Sequence, residues 1–164
     1  MDTITLTVLK IIFLLGFTLH NLEEAIWLPE WTKYAKNYHQ QVTRNQFVFA
    51  VIIITIIGYI ITVLDIVYAN IGDFINYIYL GFIGMMAVNT IFPHLISTIA
   101  LKKYTPGLIT ALLLNLPISL LIITHYIQSG INIFYLIISV VVVSIIILIS
   151  LKPLFKLGEK LIIY

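Results

Sequence analysis

The sequence predicts an all-α integral membrane protein, a single bundle of five transmembrane helices over residues 1–164 with the N-terminus outside and the C-terminus cytoplasmic. Three observations carry this. The chain is 61% hydrophobic and 10% charged, with a mean hydropathy of +1.09, whereas a soluble domain carries roughly a quarter charged residues. Five apolar runs are each long enough for the roughly 30 Å hydrocarbon core, which takes about 20 helical residues. The basic residues gather at alternate connections, as the positive-inside bias requires.

The runs are Ile4–Leu28, Gln46–Ala69, Phe74–Leu101, Pro106–Ile127 and Ile133–Leu154. They must be helices, because lipid offers an open backbone no hydrogen-bond partners. The first does not read as a cleavable signal: its opening is not basic, Lys10 interrupts it, and no small-residue cleavage site follows. It is expected to be a retained span. The segment 29–45 alternates Trp31, Tyr34 and Tyr38 with Lys33, Lys36, His39 and Arg44. It suits an aromatic-belt anchor at the cytoplasmic interface, or a flap bringing His39 to a site.

Asp73 is expected to cap the third span, and Thr105 the fourth with Pro106 at its first helical position. Pro93 cannot donate to the carbonyl of Asn89 and predicts a kink; Pro117 frees the carbonyl of Leu113 in the same way. Gly107, Ala111, Asn115 and Ser119 recur at every fourth position, a stripe that lets helices approach closely. Gly81 and Gly84 suit the same use. Gly72 and Gly130 punctuate the turns 70–72 and 128–132, which hold no basic residue.

Lys33, Lys36 and Arg44 follow the first span, Lys102 and Lys103 the third, and Lys152, Lys156 and Lys160 close the chain. In a five-span chain these share one side, the cytoplasm. Lys10 then snorkels outward, His125 is interfacial, and Asp65 snorkels or pairs with a neighbour. The absence of cysteine excludes disulfides and thiolate chemistry. A formal net charge of +2 without a basic patch gives no reason to expect nucleic-acid binding. No organic cofactor motif is evident. The partners expected are the lipid bilayer and an apolar or lipidated substrate.

The costly feature is His20-Asn21-Leu22-Glu23-Glu24 in the first span. Ionisable residues inside a membrane mark functional sites by default, since each costs roughly 2.5–3.5 kcal/mol at a helix centre. At about 100° per residue, His20, Glu23 and Glu24 share one face. Counting about 1.5 Å per residue from the cytoplasmic ends, His20, Glu24, Asn89, His94, Thr110 and Asn115 fall in one half of the membrane. They come from three spans and predict one buried polar cluster.

His20-x-x-Glu23-Glu24, the later Asn89 and Pro93-His94, and Tyr104-Thr105-Pro106-Gly107-Leu108-Ile109-Thr110-Ala111 resemble the HXXEE-domain family across nearly the whole chain. These are small multi-pass membrane proteins, mostly bacterial. The resemblance implies a bacterial membrane location and a suspected catalytic site of His20, Glu23, Glu24 and His94, with Asn89 beside them. A looser chemical analogy is to membrane-embedded prenyl endopeptidases, which also combine a Glu pair with histidines and an Asn. The Arg that follows their Glu pair is absent here.

Two His and a carboxylate with an open position form a catalytic zinc set. One expectation is therefore a metal-dependent hydrolase. His20, His94 and one of Glu23 and Glu24 hold Zn²⁺ or another divalent ion, the other glutamate is the general base, and Asn89 or Asn115 polarises a carbonyl. A metal-free variant uses the adjacent carboxylates as a coupled proton pair. The alternatives are a proton- or cation-coupled transporter or permease, and a non-catalytic binding or scaffold protein.

Overall fold

The computed structural model describes residues 2–35, 41–68 and 70–161. Among them are five helices long and apolar enough to cross a membrane: α1 (Thr3–Tyr34), α2 (Arg44–Tyr68), α3 (Phe74–Leu101), α4 (Leu108–Gln128) and α5 (Ile133–Leu161). Lys36, Tyr38 and His39, and with them the suggested flap, lie outside the described residues.

Helix α1 starts where the Asp2 carboxylate accepts the Thr5 N–H at 2.7 Å, satisfying one of the free donors of a first turn. It does not stop before Pro29 but runs on to Tyr34. Leu28, Trp31 and Ala35 pack on Val42 and Phe47 from further along the chain, and this contact carries the helix through the missing hydrogen bond. Thr43 and Gln46 cap α2 reciprocally, Thr43 N–H to Gln46 Oε1 at 2.9 Å and Gln46 N–H to Thr43 Oγ1 at 3.3 Å. This is a capping box.

Asp73 does not cap α3 with its side chain. Its carboxylate instead accepts the Asn70 N–H at 2.8 Å and closes the preceding turn. The kink expected at Pro93 is present: the turn Thr90–Leu95 is widened and Phe92 leaves helical geometry at φ −125°, ψ 118°. The Phe92–Pro93 peptide bond is cis.

Helix α4 begins two residues later than its sequence suggests. Thr105, Pro106 and Gly107 form a turn, with the Leu108 N–H on the Thr105 carbonyl at 3.2 Å and Gly107 at φ +93°. Thr105 is therefore not the helix cap, and Pro106 precedes the helix. Ahead of Pro117 the helix widens over Ala111–Asn115, as the lost donor requires. Asn132 starts α5 by accepting the Phe134 N–H at 2.9 Å.

Helix α1 packs between α2 and α4, α3 lies against α2 and α4, and α5 crosses the outside of α2 and α3. Gly81 and Gly84 serve that last contact: a Cβ on Gly81 would lie 2.8 Å from the Ser139 carbonyl oxygen, and one on Gly84 2.4 Å from Val140. The centre is filled by Phe13, Phe17, Tyr79, Phe82, Ile83 and Ile122. Phe82 meets the Phe13 and Phe17 rings edge-on, at 5.8 and 5.1 Å.

Two polar clusters lie on either side of this aromatic core. Lys10 does not snorkel. It is buried and pairs with Asp65 at 2.5 Å, while Tyr126 Oη accepts from Lys10 at 2.9 Å and donates to Asp65 at 3.0 Å. Asn76 donates to the other Asp65 oxygen at 2.7 Å. Four helices are thereby tied together at the end holding the α1 N-terminus. His125 stands beside Tyr126, ring centroids 6.0 Å apart, outside either cluster. The second cluster is at the opposite end.

Candidate functional site

His20 and Glu24 are one helical turn apart on α1, so they face the same way. The widened turn at Pro93 swings His94 inward from α3, and both imidazoles are 1% exposed. Their rings meet edge-on with centroids 5.0 Å apart. Glu24 Oε1 lies 3.1 Å from His94 Nε2 and 3.7 Å from His20 Nε2. Among the described residues, His20, Glu24 and His94 form the group whose ligand atoms all lie within 4.8 Å of one another.

The third wall is the turn before α4. His20 Nδ1 donates to the Gly107 carbonyl at 3.0 Å. That bond assigns the ring proton to Nδ1 and leaves Nε2 as a lone pair aimed at the shared centre. Gly107 must be glycine twice over. Its φ of +93° suits no side chain, and a Cβ there would stand 2.8 Å from Cε1 of both histidines and 3.1 Å from Glu24 Cγ. Asn89 places its amide 3.1 Å from His94 Nε2 and 3.5 Å from His20 Nε2.

The adjacent glutamates part company. Glu23 does not reach the histidine centre; Tyr104 Oη donates to its Oε1, and Thr110 donates to its Oε2 through Oγ1 at 2.6 Å and N–H at 3.4 Å. Thr110 Oγ1 is also 3.4 Å from His20 Nδ1, so Glu23 touches the centre through Thr110. Burial, with the Glu23 hydrogen bond, pushes the Tyr104 phenol up to about 12. Asn115 is fully buried against Gly16, whose added Cβ would be 3.0 Å from Asn115 Oδ1. Its side chain has no hydrogen-bond partner among the described residues and makes none with the His/Glu group.

These distances fit a metal ion. With metal–ligand bonds of about 2.0–2.1 Å, neighbouring ligand atoms of a tetrahedral site are roughly 3.3 Å apart. The two carboxylate–imidazole separations, 3.1 and 3.7 Å, straddle that value. The donor chemistry agrees: a lone pair on His20 Nε2 and a carboxylate oxygen converge with His94, and a cation is what such acceptors share. His94 Nδ1 is buried with no hydrogen-bond partner among the described residues.

The family described as "Protein of unknown function with HXXEE motif" matches residues 11–122. The chain belongs to the HXXEE family. The match takes in His20, Glu23, Glu24, Asn89, His94, the turn before α4 and Asn115, and stops short of α5. A similar HXXEE protein is "Uncharacterized protein YrkK" of Bacillus subtilis (strain 168), 46% identical over 149 residues, which are 90% of this chain and 94% of the relative. No solved structure matches the chain. Depth along the spans places Thr110 in the polar cluster but gives no site role to Tyr104 or Gly107. The signal was the Tyr104–Thr110 segment itself, which stands immediately before the fourth apolar run.

Proposed function

We propose that this HXXEE protein is a multi-pass enzyme of the bacterial cell membrane, N-terminus outside and C-terminus in the cytoplasm, that hydrolyses a lipid or lipidated substrate with a divalent metal ion. The observation that carries the reading is the convergence of His20, His94 and Glu24 in a buried setting, with Glu24 Oε1 3.1 Å from His94 Nε2 and 3.7 Å from His20 Nε2 and all three ligand atoms within 4.8 Å of one another. His20, His94 and Glu24 hold the ion, with Zn²⁺ the first choice for two imidazoles and a carboxylate. An ion bound there would supply Lewis-acid polarisation and lower the pKa of a water.

The chain's own groups do the rest. The Gly107 carbonyl and Thr110 orient His20. Glu23, held by Tyr104 and Thr110, takes a proton at Oε1 or Oε2 and returns it to the leaving group. Asn89, within 3.5 Å of both imidazoles, is placed to donate to a carbonyl oxygen that becomes negative. Protons therefore move at one end of the bundle.

Transport is the weaker reading. On α1, Phe13 and Phe17 stand between Lys10 and His20, packed on Phe82 and almost fully buried. A continuous polar path would have to pass through them. The Lys10–Asp65 pair beyond is neutralised by its own partners.

The test is the metal content of purified, detergent-solubilised protein by mass spectrometry, beside His20→Ala and His94→Ala. Near-stoichiometric Zn²⁺, Mn²⁺ or Fe that falls in both variants is expected. Folded protein that stays metal-free after the ions are added back overturns the reading.

A further inference from the structure

The His/Glu centre is buried, so a substrate must reach it by a defined route. Between α1 and the start of α4 lies an open groove of about 660 Å³, within the roughly 300–1,000 Å³ usual for small-molecule sites. Its walls are largely apolar: Trp27 and Trp31 from α1, Tyr104 and Pro106 from the turn before α4, and Ile109 from α4. Glu23 and Thr110 also line it, and Thr110 adjoins both His20 and Glu23. The groove thus leads from the outside of the bundle to the edge of the centre.

The charges on its rim are unequal. Glu30 lines it but is paired with Lys33 at 2.7 Å, and the Glu23 carboxylate is held by Tyr104 and Thr110. Lys103 lies over the Tyr34 ring at 3.7 Å and has no carboxylate within ion-pairing distance among the described residues. Lys103 is therefore the lining cation without a carboxylate partner among the described residues, whereas the Glu23 carboxylate keeps its charge and is already engaged by neutral donors. Trp and Tyr beside a Lys form the girdle that sits at headgroup depth in a bilayer, where a lipid presents chain and headgroup together.

We infer that this groove binds one acyl chain of an anionic membrane lipid, the chain lying along Trp27, Trp31 and Ile109 and the headgroup meeting Lys103. This rests on the hydrolase reading and names its substrate class. The scissile carbonyl then comes to rest at the inner end, between Glu23 and the histidines, while the apolar chain remains between α1 and α4.

The chain carries its own reporter, because both of its tryptophans line the groove. They differ usefully: Trp27 is 55% exposed and Trp31 only 7%. The probe is dibromostearate, an anionic acyl chain with a short-range bromine quencher, added to protein in bromine-free nanodiscs. Trp27→Phe leaves Trp31 as the sole emitter. Its fluorescence is expected to be quenched saturably, at one probe per chain, and restored by unbrominated stearate. Lys103→Ala is expected to weaken this by roughly tenfold, the loss of one charge-assisted contact.

Simple partitioning into the surrounding lipid would quench Trp27 in the Trp31→Phe protein but leave Trp31 bright, and a bright Trp31 overturns the inference. Equal affinity for the neutral methyl ester of the probe overturns the anionic headgroup. Metal content read on the same samples separates the two readings: quenching without metal keeps the groove and removes the hydrolase, and metal without quenching does the reverse.

Discussion

Gly107→Ala probes the centre without touching a ligand. The methyl would stand 2.8 Å from Cε1 of His20 and of His94, where ordinary contacts begin at 3.4 Å, so each imidazole must retreat by about 0.6 Å. Productive metal geometry tolerates displacements of about 0.5 Å. The added methyl in a packed site costs about 1–3 kcal/mol, and alanine at positive φ about 1–2 kcal/mol more. Gly72 separates these terms. Its φ is +95° and nothing lies within 4 Å of an added Cβ, so Gly72→Ala carries only the backbone cost. Melting temperature in detergent should fall in both variants, further for Gly107→Ala. Zn²⁺ affinity, read by chelator competition, should be unchanged in Gly72→Ala and weaker by at least about tenfold in Gly107→Ala, the equivalent of about 1.4 kcal/mol. Wild-type metal affinity in a folded Gly107→Ala protein would refute the placement of the turn over the centre.

The glutamate pair should separate in the same assay. Glu24→Gln is expected to abolish stoichiometric metal, and Glu23→Gln, an outer partner, to weaken it by no more than about 100-fold; equal loss would put Glu23 among the ligands. Breaking the buried Lys10–Asp65 pair with Lys10→Met or Asp65→Asn alone should cost about 3–5 kcal/mol of stability. The double variant Lys10→Met/Asp65→Leu should recover most of it, with metal content unaltered throughout, and additive losses in the double variant would show the pair to be uncoupled. For Tyr104, folding raises the phenol from an ordinary value near 10 to about 12. The folded state thus holds this proton more tightly than the unfolded chain does. Its contribution is complete below pH about 10 and is lost as pH rises to about 12. The wild-type-minus-Tyr104→Phe difference in melting temperature should shrink across that window, and a flat difference would sink the assignment.

Where the sequence was legible, hydropathy or a local proline decided the matter; where it misled, the deciding contact came from a distant residue. The five runs are the five helices, because nothing else satisfies the backbone in lipid. The first apolar run ends at Leu28, yet the helix continues through Pro29, where the packing of Leu28, Trp31 and Ala35 on Val42 and Phe47 outweighs one lost hydrogen bond. Lys10 read as snorkelling because its acid is Asp65, on another helix. Glu23 and Glu24 are indistinguishable by depth or type. They differ by about 100° around α1, and only the arrival of Tyr104 and Thr110 from another helix turns that angle into two environments. The prolines were more informative. Pro93 forecast the kink that brings His94 to the centre, since a missing donor and a ring clash act locally.

The two polar clusters answer the same physical problem differently, and the contrast bears on whether the His/Glu group is only packing. Burying a charge in an apolar medium is costly unless every partner is supplied. At one end Lys10, Asp65, Asn76 and Tyr126 supply each other: donors meet acceptors, and positive charge meets negative. A group that served only to fix helix register would be under the same pressure and should look alike. At the other end Glu24 Oε1 lies between two histidine nitrogens, His20 is fixed by its Nδ1–H on the Gly107 carbonyl, and His94 Nδ1 finds no hydrogen-bond partner among the described residues. The Gly107 turn, moreover, leaves out the side chain whose Cβ would crowd both imidazoles. Two imidazoles and a carboxylate kept open by a glycine form a centre that a cation would complete, and in the proposed function the groove lined by Glu23 and Thr110 is its approach.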